Sequence, residues 1–208
     1  GGGDVIERPI EPLERLLEGV VRRVRLQADH AGNGTCGNAI MQTNRPEHLH
    51  GFDYLGLHRY FLTFCTDQRH RAFESSERVD LARTQILRAA GDEQIEVTAY
   101  CFMPDHLHML VEGLEERADC RRFIKRAKQF SGFYSKKQFG RTLWQRYGYE
   151  RTLRDEDDTL GVARYIIENP LRAGLVEDVS KYPFLGSSRY SIQQILEAVQ
   201  WANPCRSA

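Results

Sequence analysis

Ala99-Tyr-Cys-Phe-Met-Pro-Asp-His-Leu-His-Met-Leu-Val-Glu-Gly113 decides the fold, because it holds two strand-like runs separated by a Pro-Asp turn. Successive side chains of a strand point to opposite faces, so His106 and His108 project together and Leu107, Met109 and Val111 project the other way. Two imidazoles on one sheet face can hold one metal ion. His-x-His pairs also occur with no site around them, so this pair acquires meaning only from the rest of the chain.

On the N-terminal side, Arg59-Tyr-Phe-Leu-Thr-Phe-Cys-Thr66 is aromatic and β-branched and predicts a strand. Ser75 or Ser76 can cap a helix running to about Ala90, with Val79, Ala82, Ile86 and Leu87 inward and Gly91 just past its end. Ile95 to Met103 and His106 to Glu112 form the central antiparallel pair. Beyond them the pattern predicts a long helix from about Ala118 to Phe139, ended near Gly140. Leu143 to Leu153 reads as a fourth strand or an extended segment, and Asp155 to Asn169 as a helix closed by Pro170. Strand, helix, two strands, helix, strand is an α+β arrangement of the ferredoxin-like split β-α-β type. It predicts an antiparallel sheet with helices packed on one face and the other face open to a ligand.

The 208 residues suffice for one ordinary domain. Residues 1–51 read as an N-terminal extension, with a short amphipathic helix over Ile10 to Leu26 and a Gly-, Asn- and Thr-rich linker over Gln27 to Pro46. The main domain is expected over residues 52–190, followed by a C-terminal tail over 191–208. A second pair, His48-Leu-His50, follows Pro46 in a polar stretch with no strand pattern to fix its rings, and is read as a decoy. Five cysteines (Cys36, Cys65, Cys101, Cys120, Cys205) with no Cys-x-x-Cys spacing predict reduced thiols. Neither an apolar run of spanning length nor a basic-then-apolar start is present, so neither membrane insertion nor secretion is expected, and with the reduced thiols a cytoplasmic location is.

The formal net charge is zero, but its distribution is uneven. Between Arg121 and Arg154 stand eleven basic residues (Arg121, Arg122, Lys125, Arg126, Lys128, Lys136, Lys137, Arg141, Arg146, Arg151, Arg154) and one acidic residue, Glu150. Interleaved with Phe130, Phe133, Tyr134, Phe139, Trp144, Tyr147 and Tyr149, this is the composition of a surface that follows a phosphate backbone and stacks bases. A solvated helix face with its aromatics in the core has the same letters. Solubility alone is better served by mixed signs.

Further on, Tyr165 and Asn169 stand four apart and share a helix face. A tyrosine placed to attack and an amide oxygen placed to ligate a metal need that relation. A packed tyrosine followed by a helix-ending asparagine shows the same spacing.

Six blocks in order carry a resemblance that extends from about Phe52 to Tyr190. They are Tyr60-Phe-Leu-Thr-Phe, Tyr100-Cys-Phe-Met-Pro-Asp-His-Leu-His-Met-Leu, Leu143-Trp-Gln-Arg, Leu153-Arg-Asp-Glu-Asp-Asp, Ala163-Arg-Tyr-Ile-Ile-Glu-Asn-Pro-Leu-Arg-Ala-Gly-Leu-Val and Tyr182-Pro-Phe-Leu-Gly-Ser-Ser. Together they resemble the REP-associated tyrosine transposases, single-tyrosine members of the HUH endonuclease superfamily. The resemblance implies that His106 and His108 bind a divalent metal, Mg²⁺ or Mn²⁺. It further implies that Tyr165 attacks single-stranded DNA and that Asn169 occupies the position of a polar third ligand. Family members often carry an acid-His pair where this chain has Glu150-Arg151.

The implied activity is a metal-dependent single-strand endonuclease and strand transferase acting on hairpin or repetitive DNA through a 5′-phosphotyrosine. The implied partner is single-stranded or hairpin DNA, and the protein is a monomer or homodimer. Arg121, Arg122, Lys125, Arg126, Lys128, Lys136, Lys137, Arg146 and Arg151 are the expected DNA contacts. The competing class is a hairpin-binding protein that keeps the fold without cutting. A zinc hydrolase of small molecules fits less well, because no His-Glu-x-x-His accompanies the pair and the basic segment is left unexplained.

Overall fold

The computed structural model describes residues 54–146, 149–153 and 159–201. The expected N-terminal helix, the linker, the His48/His50 pair, Tyr147 and Arg154 lie outside the described residues. Strands β1 (Arg59–Cys65), β2 (Ile95–Met103), β3 (His106–Gly113), β4 (Tyr149–Leu153) and the two-residue β5 (Leu185–Gly186) form one sheet in the order β4-β1-β3-β2-β5. All its pairings are antiparallel. The first four strands have the order of the split β-α-β unit, so the α+β class expected from the sequence is the one observed.

Alternation divides the sheet into two chemically different faces. On one, Tyr60, Leu62 and Phe64 of β1 stand opposite Val111, Met109 and Leu107 of β3. Helices α1 (Ser76–Asp92) and α2 (Cys120–Phe139) cover that face. They contribute Val79, Ala82, Ile86, Phe123 and Ala127 to a core shared with Phe73, Phe102 and Trp144. Each large apolar side chain buried there stabilises the fold by roughly 1.5–3 kcal/mol. Helix α2 starts where the Asp119 carboxylate accepts the Arg122 backbone N–H at 2.9 Å, and stops at Gly140, whose φ of 72° suits the left-handed region. Helix α1 runs past Gly91 to Asp92, and the left-handed residue after it is Gln94, with φ 54°.

The second face is not open along its whole length. Helix α3 (Thr159–Arg172) and helix α4 (Ile192–Trp201) form a further layer on it. Ala163, Ile166, Ile167 and Ile195 pack there against Ala99, Cys101, Leu110 and Leu153. Helix α4 lies in the segment expected as a tail; its buried Ile195 ties it to the folded unit. Pro170 does not close α3 as expected but sits inside it. A proline cannot bond to the carbonyl four residues back. The carbonyl so deprived is that of Ile166; the Asn169 amide stands 3.5 Å from it and donates more closely, at 2.8 Å, to the Tyr165 carbonyl.

Cys65, Cys101 and Cys120 are free thiols. No helix among the described residues is long and apolar enough to cross a membrane.

Candidate active site

The β1–β3 register sets Thr63 opposite His108 and Cys65 opposite His106 on the face that α3 borders. His108 is buried, and its Nδ1 lies 2.8 Å from the Thr63 hydroxyl. The Nδ1 of His106 lies 2.7 Å from Asp105 Oδ1, and the other carboxylate oxygen accepts from Arg69 Nε at 2.8 Å. Asp105 is fixed in turn, because its carbonyl accepts from the Thr66 backbone N–H at 3.0 Å and from the Thr66 hydroxyl at 2.8 Å. With both outer nitrogens engaged, the two Nε2 atoms converge to 3.0 Å.

A carboxylate only accepts, so His106 carries a proton on the Nδ1 that faces Asp105. Burial holds His108 neutral, with added repulsion from His106 and Arg69, and lowers its pKa to about 3. Imidazoles oriented through their outer nitrogens are the usual donor arrangement for a metal. Cis ligands at about 2.1 Å from an octahedral ion stand about 3.0 Å apart, so the observed separation fits one ion. Among the described residues no third His, Cys, Asp or Glu joins the pair.

Tyr165 projects from α3 toward this pair. Its ring centroid is 5.8 Å from that of His108 and 5.9 Å from that of Phe61, edge-on to both. Phe61 stacks on His108 at 5.5 Å. Yet Tyr165 is 41% exposed, so its ring is gripped while the surface beside it stays open to a polymer. Asn169 lies one turn further along α3. Its amide nitrogen is spent on the helix backbone, which leaves Oδ1 as its acceptor for a ligand.

The expected DNA contacts are distributed differently. Helix α2 lies on the opposite face of the sheet from the histidines, so its cations do not share their face. Arg122 Nε stands 3.3 Å from Glu93 Oε2, and Arg126 Nη1 is 3.0 Å from Glu93 Oε1 and 3.4 Å from Asp92 Oδ2. Arg121 lies over the Tyr54 ring. Lys128 is half-buried and donates to the Gln145 and Arg146 carbonyls at 2.6 and 3.2 Å; burial lowers its pKa. Lys125, Lys136 and Lys137 are exposed and, among the described residues, have no ion-pair partner. Arg151 stands opposite Phe61 in the β1–β4 ladder, one strand from the candidate site.

Thr63, Phe61, Arg69 and Arg172 are neighbours of the site that residue patterns did not single out. Asp105 reads from the sequence only as a turn residue. The alternation of β1 already put Phe61 and Thr63 on one face; what was missing was the register with β3.

Residues 55–169, more than half of the chain, match the family described as "Transposase IS200 like". The REP-associated tyrosine transposase of Escherichia coli K12 is 30% identical over 125 residues, covering 59% of this chain and 72% of that protein. A Haemophilus influenzae protein named for the same group is 27% identical over 139 residues, covering 60% of this chain and 77% of its own length. Among solved structures, a REP-associated tyrosine transposase bound to a REP hairpin superposes with a TM-score of 0.55 at 23% identity. That likeness, over 64% of this chain and 78% of the other, is one of fold. With six sequence blocks in order, the split β-α-β sheet and these relatives in agreement, the chain belongs to the REP-associated tyrosine transposases of the IS200-like transposase family.

Proposed function

We propose that the protein cuts and rejoins single-stranded DNA at hairpin-forming sequences, with Tyr165 as nucleophile and a divalent metal, Mg²⁺ or Mn²⁺, held by His106, His108 and Asn169. The observation that carries this reading is the placement of the exposed Tyr165 ring 5.8 Å from His108, whose Nε2 converges on that of His106. A hairpin is the preferred substrate because the solved relative is bound to one.

When bound, the ion would supply Lewis-acid charge to the scissile phosphate. The chain's own residues do the rest. A phenol with a reference pKa of about 10 is a weak nucleophile at neutral pH, so orientation must supply much of the acceleration. Phe61 and His108 fix the ring edge-on and Thr63 and Asp105 fix the imidazoles, so these groups need little reordering when DNA arrives. Tyr165 Oη forms a bond to phosphorus and loses its proton to water. The P–O3′ bond breaks, and the leaving 3′ oxygen takes up a proton. The 5′-phosphotyrosine retains the energy of the broken diester, so a second 3′-hydroxyl can reverse the step and join strands without a nucleotide cofactor.

Arg121, Arg122, Lys125, Arg126, Lys128, Lys136, Lys137, Arg146 and Arg151 are proposed to contact DNA in unequal measure. The unpaired Lys125, Lys136 and Lys137 are the readiest phosphate partners, whereas Arg122, Arg126 and Lys128 already hold protein groups. Incubation with hairpin DNA and Mg²⁺ or Mn²⁺, followed by a denaturing gel, tests the activity. A metal-dependent band of DNA joined to protein is expected. Tight hairpin binding with no such band under either ion would leave a binding protein instead.

A further inference from the structure

Tyr165 has a third neighbour on its own helix. The Arg172 guanidinium lies over the phenol ring, its Cζ 5.0 Å from the centroid. Residues seven apart share a helix face, which brings Arg172 back above Tyr165 after two turns. An arginine side chain 48% exposed would ordinarily sample many rotamers. Here Glu168, midway between the two, accepts from Arg172 Nη2 at 2.8 Å and from Arg164 Nε at 2.6 Å. Both carboxylate oxygens are engaged, Oε1 by Arg164 and Oε2 by Arg172, so Glu168 holds the two arginines in place.

Resting on the reading of Tyr165 as nucleophile, we infer that Arg172 is its positioning residue, clamped by Glu168 so that a fixed positive charge lies on the ring face. Phe61 and His108 meet the ring at edge-on angles of 88° and 66°, and Arg172 contributes the charged contact. The contact does two things. It removes rotamers of Tyr165 that point away from the histidines. It also becomes more favourable as the hydroxyl gives up its proton, because the ring then carries part of the negative charge. Arg172 therefore acts on the rate of attack more than on the affinity for DNA.

The test is single-turnover adduct formation at saturating hairpin DNA, measured with hairpin affinity and thermal melting for Arg172→Met, Arg172→Lys and Glu168→Gln. Arg172→Met is expected to slow adduct formation about 5- to 30-fold, with affinity changed less than about 3-fold. Arg172→Lys keeps the charge and is expected to recover part of the rate. Glu168→Gln weakens the clamp and should fall between wild type and Arg172→Met. An unchanged rate in Arg172→Met overturns the inference. So does a loss matched by an equal loss of affinity with Lys no better than Met, which is the signature of a general DNA contact. Absence of any adduct from the wild-type protein would instead remove the nucleophile assignment on which the inference rests.

Discussion

His106 Nε2 and His108 Nε2 stand 3.0 Å apart because each ring is held at its other nitrogen, His106 by Asp105 and His108 by Thr63. The two rings are close to perpendicular, 82° between planes. Partners of this kind orient metal ligands, and their loss commonly costs about 10- to 100-fold in metal affinity. Thr63→Val and Asp105→Asn should each weaken Mn²⁺ binding by that order, as measured by calorimetry, with the fold retained. Affinity equal to wild type in both variants would separate the histidines from metal binding.

The two His-x-His pairs should behave differently. Changing His106 and His108 to Ala is expected to abolish metal-dependent cleavage, whereas the same change at His48 and His50 leaves it nearly intact. The first pair lies on a strand between two others; the second lies in a polar stretch with no strand pattern. Loss of cleavage in the His48/His50 variant would reverse the assignment.

Salt dependence separates the two kinds of cation on α2. Each lost phosphate contact lowers the slope of log affinity against log salt by about 0.7–0.9. Replacing Lys125, Lys136 and Lys137 together by Ala should therefore reduce the slope by roughly 2–3 without loss of stability. Arg126→Ala should instead destabilise the fold by about 1–3 kcal/mol, since it deprives the buried Glu93 carboxylate of one of its two arginine partners. An unchanged slope in the triple variant would take α2 out of the DNA surface.

Cys101 faces His108 across the β2–β3 ladder, and burial pushes its thiol pKa up to about 12 from an ordinary value near 9. A group whose folded pKa is raised stabilises the fold fully below its unfolded value and loses that contribution as pH rises through the folded one. The wild-type protein should therefore weaken between about pH 9 and 12, by up to about 1.4 kcal/mol per unit from this group. Cys101→Ala should flatten that part of the alkaline stability curve, at some cost in packing. Rapid alkylation of native Cys101 at pH 9 would show that the thiol is not sequestered.

Much of the frame was legible because strand alternation is a local signal. The stretch from Ala99 to Gly113 places both histidines on one face, and the helix expected from about Ala118 to Phe139 matches α2 to within two residues. Register was not legible: Thr63 meets His108 across 45 positions of sequence, and only the paired strands show it. Layering was also hidden. The basic residues of α2 are close in sequence to the histidines, but α2 packs its Phe123 and Ala127 into the core on the opposite face of the sheet. The helix containing Ile195 was legible in principle, since Ile192, Ile195, Leu196 and Val199 recur at helical spacing. Pro170 reads as a stop, yet the packing of Ile166 and Ile167 carries α3 past it, with the Asn169 amide 3.5 Å from the Ile166 carbonyl that the proline leaves without its usual donor. Tyr165 and Asn169 were ambiguous by spacing; the sequence blocks identified them as candidates, and the fold supplied the ring contacts.

The central claim is that Tyr165 becomes covalently joined to the 5′ side of the cut strand. The direct measurement incubates wild-type protein and Tyr165→Phe with a labelled hairpin and Mn²⁺, resolves adducts under denaturing conditions and identifies the modified residue by mass spectrometry. The account predicts a phosphotyrosine at Tyr165 in the wild type, no adduct in Tyr165→Phe, and hairpin affinity nearly equal in the two. An adduct of undiminished yield in Tyr165→Phe, or one mapped to another residue, would contradict it.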